Sequence, residues 1–105
     1  MIVAEVFAEL EGFEWNNGNI NKNRLKHDVN ILECEEVFFN KPIIVLTDLK
    51  HSEVEERYRI LGITAGKRKL ALAITIRNKR IRVIMARDQS RKERILFDKE
   101  KTNNE

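Results

Sequence analysis

The sequence is poor in residues that break or cross-link a chain, with one proline, four glycines and one cysteine in 105 residues. So little proline and glycine argues against a disordered or fibrous protein. The one cysteine, Cys34, has no partner for an internal disulfide, which favours a reducing compartment and a cytoplasmic location. No stretch approaches the roughly 18 apolar residues of a membrane helix. The first ten residues also lack the basic start of a signal peptide.

Motifs for metal and nucleotide chemistry are missing as well. The two histidines, His27 and His51, are not spaced from Cys34 like the ligands of a metal site. The chain has no glycine-rich loop of the kind that binds nucleotide phosphates. We therefore predict a protein without a metal or another cofactor, and expect one domain over residues 1–105.

Charge is abundant and unevenly distributed. Residues 1–56 carry 5 Lys and Arg against 12 Asp and Glu, whereas residues 57–105 carry 15 against 5. A basic half of this strength favours a polyanionic partner, most often nucleic acid. A solvated surface that happens to be basic explains the composition equally well, so composition alone leaves both interpretations open.

The hydrophobic pattern predicts an α+β fold that begins with helices. Residues 1–12 are expected to form an N-terminal extension, and Asn16 is a suitable cap for a polar helix that reaches about Lys26. Asn30 and Glu33 match a capping box, which predicts a second, amphipathic helix. Cys34 lies in its apolar stripe, where a core position is favoured over a reactive thiol.

Four strands should follow, joined by short turns that favour an antiparallel meander. Their predicted ranges are Ile43–Asp48, Arg57–Thr64, Leu70–Arg77 and Arg80–Arg87. The third strand has a face of small residues that ends at Arg77, which predicts a shallow trough for an RNA backbone. A C-terminal helix should begin after Ser90, because Ser90 and Glu93 match a second capping box. Residues 98–105 should form a frayed tail.

The junction between the last strand and the last helix is the strongest candidate site. Arg87 is in phase with Ile81, Val83 and Met85, so it should emerge at the end of the strand. A helix N-terminus carries partial positive charge and unpaired N–H groups. Arg87 beside it, with Arg91 one turn further, is therefore predicted to attract phosphate. Arginines and a titratable histidine suit metal-free cleavage of RNA, and His27 sits at a predicted helix end.

An ordered set of segments resembles the BrnT toxins of bacterial type II toxin–antitoxin modules. The similar segments span residues 13 to 97 and read FEW, KH, EEVFFNKP, HSEVEERY, the glycine of ILGIT, RIRVIMAR and KER. Asp28 stands where the family usually has glycine. The resemblance implies a RelE-like ribonuclease with an antiparallel four-stranded sheet, two N-terminal helices and a C-terminal helix. Such a toxin blocks translation by cutting RNA.

The same resemblance implies partners and site residues. The expected partner is a BrnA-like antitoxin whose ribbon-helix-helix domain binds operator DNA, so the toxin would meet DNA only through it. Carried over by position, the catalytic residues are His27, Arg57 and Arg87. The RNA-binding residues are Lys26, Tyr58 and Arg77, and the helix-end argument adds Arg91. The alternatives are a module of the same fold that binds nucleic acid or protein without cleavage, and a purely structural protein.

Overall fold

The computed structural model describes residues 10–15, 27–48 and 56–103. This part of the chain contains five strands and two helices. They are β1 (Gly12–Glu14), α1 (Ile31–Val37), β2 (Ile44–Thr47), β3 (Arg57–Ile63), β4 (Lys69–Arg77), β5 (Arg80–Asp88) and α2 (Arg91–Asn103). The predicted helix from Asn16 to Lys26 lies outside the described residues, as does most of the predicted extension over residues 1–12.

The strands form one mixed sheet in the order β1-β5-β4-β3-β2. Strands β2 to β5 make the predicted antiparallel meander. Strand β1 runs parallel to β5, with Gly12 opposite Arg80 and Glu14 opposite Arg82. The expected four-stranded antiparallel sheet is therefore wrong in strand number and in being purely antiparallel. The pairing of so short a strand with residues so distant in the chain leaves no local sequence signal.

The β4–β5 hairpin shows why the antiparallel part was predictable. Its two turn residues, Asn78 and Lys79, both have positive φ angles, of 53° and 62°. Two consecutive left-handed residues are typical of the two-residue turns whose twist matches that of paired strands. Asparagine adopts this conformation more readily than most residues, so the dipeptide marks the turn in the sequence.

One face of the sheet, here called the apolar face, packs against α1. Its buried residues form the main core and are Tyr58, Ile60, Leu70, Leu72, Ile74, Ile81, Val83 and Ala86, joined by Val29, Cys34 and Val37. Burial raises the pKa of the Cys34 thiol to about 12, helped by the charges of Glu33 and Glu35. The predicted core position of Cys34 is confirmed, because only 1% of the residue is exposed.

Helix α2 packs against the other face of the sheet. Its Phe97 is fully buried against Leu61, Ile63 and Ala71. Asp98 on the next position accepts a hydrogen bond of 2.6 Å from Nζ of Lys69. The helix continues to Asn103, so helical structure extends well into residues 98–105, where the polar composition suggested a frayed tail.

A β-bulge in β5 decides which face each of its side chains joins. Val83 pairs with Ile74 and Met85 pairs with Ala73, so Ile84 is an extra residue without a partner on β4. The bulge reverses the alternation, and Ala86 rather than Met85 continues the buried row begun by Ile81 and Val83. Arg87 therefore lies on the face opposite Ile81 and Val83. The prediction that Arg87 is in phase with them is wrong.

Candidate nucleic-acid interface

The face of the sheet that α2 partly covers carries an array of positive side chains. Strand alternation and register place seven of them there: Arg57, Arg59, Lys69, Arg77, Arg80, Arg82 and Arg87. We call this the cationic face. On β3, β4 and β5 the apolar face holds no lysine or arginine, because the intervening residues pack in the core. Ala73 and Thr75 on β4 have small side chains, so the surface between these cations is a shallow trough.

Three charged side chains meet where α2 begins. Glu93 accepts hydrogen bonds from both terminal nitrogens of Arg87, at 2.7 Å and 3.1 Å. Nη1 of Arg59 lies 3.6 Å from Oε2 of the same carboxylate. One carboxylate is thus shared by two guanidinium groups from two strands, which leaves a net positive charge.

Glu93 also caps the helix to which it belongs. Its carboxylate accepts a hydrogen bond of 2.8 Å from the backbone N–H of Ser90, and the Ser90 hydroxyl accepts one from the Glu93 N–H. This is the capping box that the sequence predicts. Burial alone would raise the pKa of Glu93, but hydrogen bonds from Arg87 and Ser90 outweigh it and lower the pKa to about 2. Glu93 is therefore ionised at neutral pH.

The predicted phosphate site at the strand–helix junction is consequently occupied by a carboxylate of the protein itself. Arg87 reaches the junction as expected, but it is held in the ion pair with Glu93 and its side chain is 28% exposed. Arg91, the first residue of α2, is exposed beside it. The capping box explains the difference, because it places a negative charge at the helix end where a ligand anion was expected.

His27 lies on the other side of the sheet. Its carbonyl and that of Asp28 accept hydrogen bonds from Arg68, at 3.2 Å and 2.8 Å. The same guanidinium binds Asp88 and Glu33. The hydrogen bond from Arg68 lowers the pKa of Asp88 and outweighs the effect of burial. The charges of Arg68 and His27 lower this pKa further. Asp88 follows Arg87 on β5 and belongs to the opposite face, so the cluster around Arg68 that includes the His27 carbonyl lies on the other face of the sheet from Arg87.

The remaining predicted residues divide between the two faces. Arg57 lies on the cationic face opposite Thr75, and Arg77 lies at its hairpin end. Tyr58 points into the core and donates a hydrogen bond of 2.7 Å to Glu56. Burial and this bond raise its pKa to about 12, which fits a core residue better than an RNA contact. Lys26 lies outside the described residues.

Several residues of this surface were missed by sequence reasoning. Arg59, Arg80 and Arg82 join the cationic face, yet in the sequence each is one more charge in a charged chain. Strand alternation from Arg57 carries the signal for Arg59, since i and i+2 share a face. Arg87 could not be placed in this way, because nothing local marks the bulge at Ile84.

Within residues 10–15, 27–48 and 56–103, no three His, Cys, Asp or Glu side chains are grouped as metal ligands would be. Neither helix in that part of the chain is long and apolar enough to cross a membrane.

Comparison with known proteins adds an independent observation. Residues 15–93 match the model of a family described as the ribonuclease toxin BrnT of type II toxin–antitoxin systems. The chain belongs to the BrnT family. The match covers most of the chain and confirms the resemblance seen in the sequence. No curated protein gives a significant match.

Membership of the BrnT family gives the protein a function at the general level. The family is that of a ribonuclease toxin, which implies an RNA substrate and an antitoxin partner. The matched range begins after β1, includes α1 and β2 to β5, and ends at Glu93, so the positions of the shared carboxylate and of both its arginines lie within it.

Proposed function

We propose that this protein is a metal-independent endoribonuclease that blocks translation by cleaving RNA and is neutralised by a cognate antitoxin. The observation that carries the proposal is the segregation of charge on the sheet. Seven lysine and arginine side chains share the cationic face, in a chain that belongs to a ribonuclease toxin family. Arginine suits this task because it stays charged and binds phosphate through two parallel hydrogen bonds.

The proposed reaction uses the 2′-hydroxyl of the substrate as nucleophile. A base removes its proton, the oxygen attacks the adjacent phosphorus, and an acid protonates the leaving 5′-oxygen. Positive side chains stabilise the charge that develops on the phosphorus oxygens. We assign phosphate binding to Arg57 and, after it releases Glu93, to Arg87. Arg77 would line the trough, and His27 or Lys26 would transfer protons.

One observation favours a second candidate, a module that binds RNA without cutting it. His27 lies with Arg68 and Asp88, on the side of the sheet opposite Arg87. An acid or base must come within hydrogen-bonding distance of the group it serves. The catalytic proposal therefore needs RNA to pass around the end of β5, whereas binding needs only the cationic face.

Purified protein incubated with single-stranded RNA in EDTA separates these candidates. We expect cleavage, with products that carry 2′,3′-cyclic phosphate and free 5′-hydroxyl ends. The His27→Ala variant should cut much more slowly while binding RNA like the unaltered protein. Binding without cleavage would support the second candidate, and cleavage only after a divalent metal is added would contradict the proposed chemistry.

The proposed partner is a BrnA-like antitoxin with a ribbon-helix-helix domain, which would carry the pair to operator DNA. Coexpression with the product of the adjacent gene tests this part. We expect a stable complex without ribonuclease activity that binds operator DNA, and a toxin that does not bind this DNA alone. DNA binding by the isolated toxin would contradict the proposed route.

A further inference from the structure

Arg59 is a guanidinium of the cationic face that is placed to receive a phosphate. Its side chain is 43% exposed, and its ion pair in the described part of the chain is the contact with Glu93 at 3.6 Å. That distance is too long for a hydrogen bond. With respect to the described residues, most of the five N–H donors of Arg59 are thus still available to a ligand.

The neighbours of Arg59 leave room for a ligand. Register places Leu46 on one side of it and Ala73 on the other, with Met85 beyond Ala73. Ala73 is small, so the surface beside the guanidinium is low. Leu46 is an exposed apolar residue on β2, at 38%. A phosphate bound here would have an apolar surface within reach of the attached base or ribose.

Arg87 is in a different state. Both of its terminal nitrogens donate to Glu93, and one also donates to the carbonyl of Asp88. Hydrogen bonding with Glu93 raises the pKa of Arg87 further above its ordinary value. Before Arg87 could hold a phosphate with the same nitrogens, it would have to release a carboxylate that also caps α2.

We propose that Arg59 binds an RNA phosphate at this end of the cationic face, and that Glu93, anchored by Arg87, competes with that phosphate for it. This inference rests on the proposed function and adds a residue that was not assigned from the sequence. Two guanidinium groups share one carboxylate, so the cluster has a net positive charge and accepts one more anion. That anion must bind beside the negative charge of Glu93, which weakens its binding.

The test is binding of a labelled, mixed-sequence 2′-O-methyl RNA of twelve nucleotides, followed by fluorescence anisotropy. The blocked 2′-oxygen prevents cleavage, so binding is measured alone. Arg59→Ala should weaken binding about tenfold, the size of one charge-assisted hydrogen bond to phosphate. Arg59→Lys should bind RNA with an affinity between those of the unaltered protein and Arg59→Ala, because lysine keeps the charge but loses the bidentate geometry. Lys99→Ala is the matched control, since it removes one exposed positive charge from the outer part of α2.

Glu93→Gln provides the second arm. Glutamine keeps an acceptor for Ser90 and Arg87 but removes the negative charge, so binding should become about threefold tighter at low salt. The inference is overturned if Arg59→Ala binds like Lys99→Ala. Its second half is overturned if folded Glu93→Gln binds less tightly than the unaltered protein. Should Glu93→Gln fail to fold, the Arg59 variants decide.

The binding test of Arg59 and the cleavage test of the proposed function have separate outcomes. A protein that cuts RNA normally while Arg59→Ala binds like Lys99→Ala refutes the role of Arg59 alone. A protein that binds the blocked RNA through Arg59 but cuts no RNA refutes the enzymatic proposal alone. Failure of the unaltered protein to bind this RNA would refute the role of Arg59, and the cleavage test would still decide the enzymatic proposal.

Discussion

Gly62 is the residue at which α1 comes closest to the sheet. A β-carbon built on Gly62 would overlap Cγ1 of Val37 and lie 3.3 Å from its Cβ. Val37 is fully buried and has little freedom to move. We therefore expect Gly62→Ala to lower the free energy of unfolding by about 1 to 3 kcal/mol, the usual effect of overpacking. Chemical denaturation measures it.

Gly66 provides the matched control. A β-carbon there would meet only the Thr64 hydroxyl oxygen, at 3.9 Å, which is an ordinary contact. Gly66→Ala should change the free energy of unfolding by less than about 0.5 kcal/mol. If both variants lost the same free energy of unfolding, Gly62 would be needed for its backbone flexibility and not for the close approach of α1.

Glu93 makes stability depend on pH in a defined range. Its pKa in the folded protein is about 2, below the ordinary value of 4.5. A carboxyl with a lowered folded-state pKa stabilises the fold above its unfolded-state pKa, and this contribution is lost as the pH falls towards 2. The stability advantage over Glu93→Gln should therefore shrink between about pH 4.5 and pH 2, by up to about 3 kcal/mol.

Thermal unfolding of both proteins from pH 7 to pH 2.5 measures this dependence. The comparison is between the two proteins, because Asp88 also has a lowered pKa and contributes equally to both. Parallel curves over the whole range would mean that the ion pair with Arg87 and the cap at Ser90 do not hold the charge of Glu93 in solution.

Ile84 shows where residue-level prediction stops. Alternation in RIRVIMAR predicts that Arg87 follows Ile81 and Val83. That arrangement would bury a cation against α1, and the extra residue at Ile84 turns it to the other face. A bulge is fixed by the fit of two strands and two packed layers. None of these is visible in one strand's pattern.

The elements around α1 are tied together by Arg68, just before β4. Its guanidinium binds Glu33 in the first turn of α1, Asp88 at the end of β5, and the carbonyls of His27 and Asp28. Arg68→Met would leave these acceptors without their donor. We expect a loss of about 2 kcal/mol in the free energy of unfolding, measured in urea, because the side chain is only 28% exposed.

Lys67→Met is the control for this prediction. Lys67 precedes Arg68 in the same turn and is exposed. Its replacement by methionine also removes one positive charge, but it leaves the contacts of Arg68 intact. The expected change is below about 0.5 kcal/mol. If Lys67→Met and Arg68→Met were equally stable, the cluster around Arg68 would contribute nothing beyond its surface charges.

Helix ends were the most predictable feature at the scale of elements. Asn30 with Glu33 and Ser90 with Glu93 form the two capping boxes that the sequence indicates. Each box lies within four consecutive residues, so its signal is local. Strand β1 has no such signal, because its hydrogen bonds go to β5.

At the scale of the whole molecule, the sequence shows that the second half of the chain is basic but not how the charge is arranged. The sheet performs the sorting, since alternate residues of β3, β4 and β5 enter the core and the others carry the cations. Arg57 and Arg77 were identified in advance by family position. Their grouping with Arg59, Arg80 and Arg82 depends on register, which tertiary structure sets.

The extent of the cationic face leads to a prediction about salt. Arg77 and Arg80 face each other at the hairpin, and Ala71 opposite Arg87 lies about 20 Å away along β4. If RNA follows the whole face, each phosphate contact should add about 0.7 to the slope of log affinity against log salt concentration. Replacing Arg77 and Arg80 together by alanine should flatten that slope by about 1.4. Lys99→Ala should leave it unchanged. An unchanged slope in the double variant would confine RNA to the end of the sheet near α2.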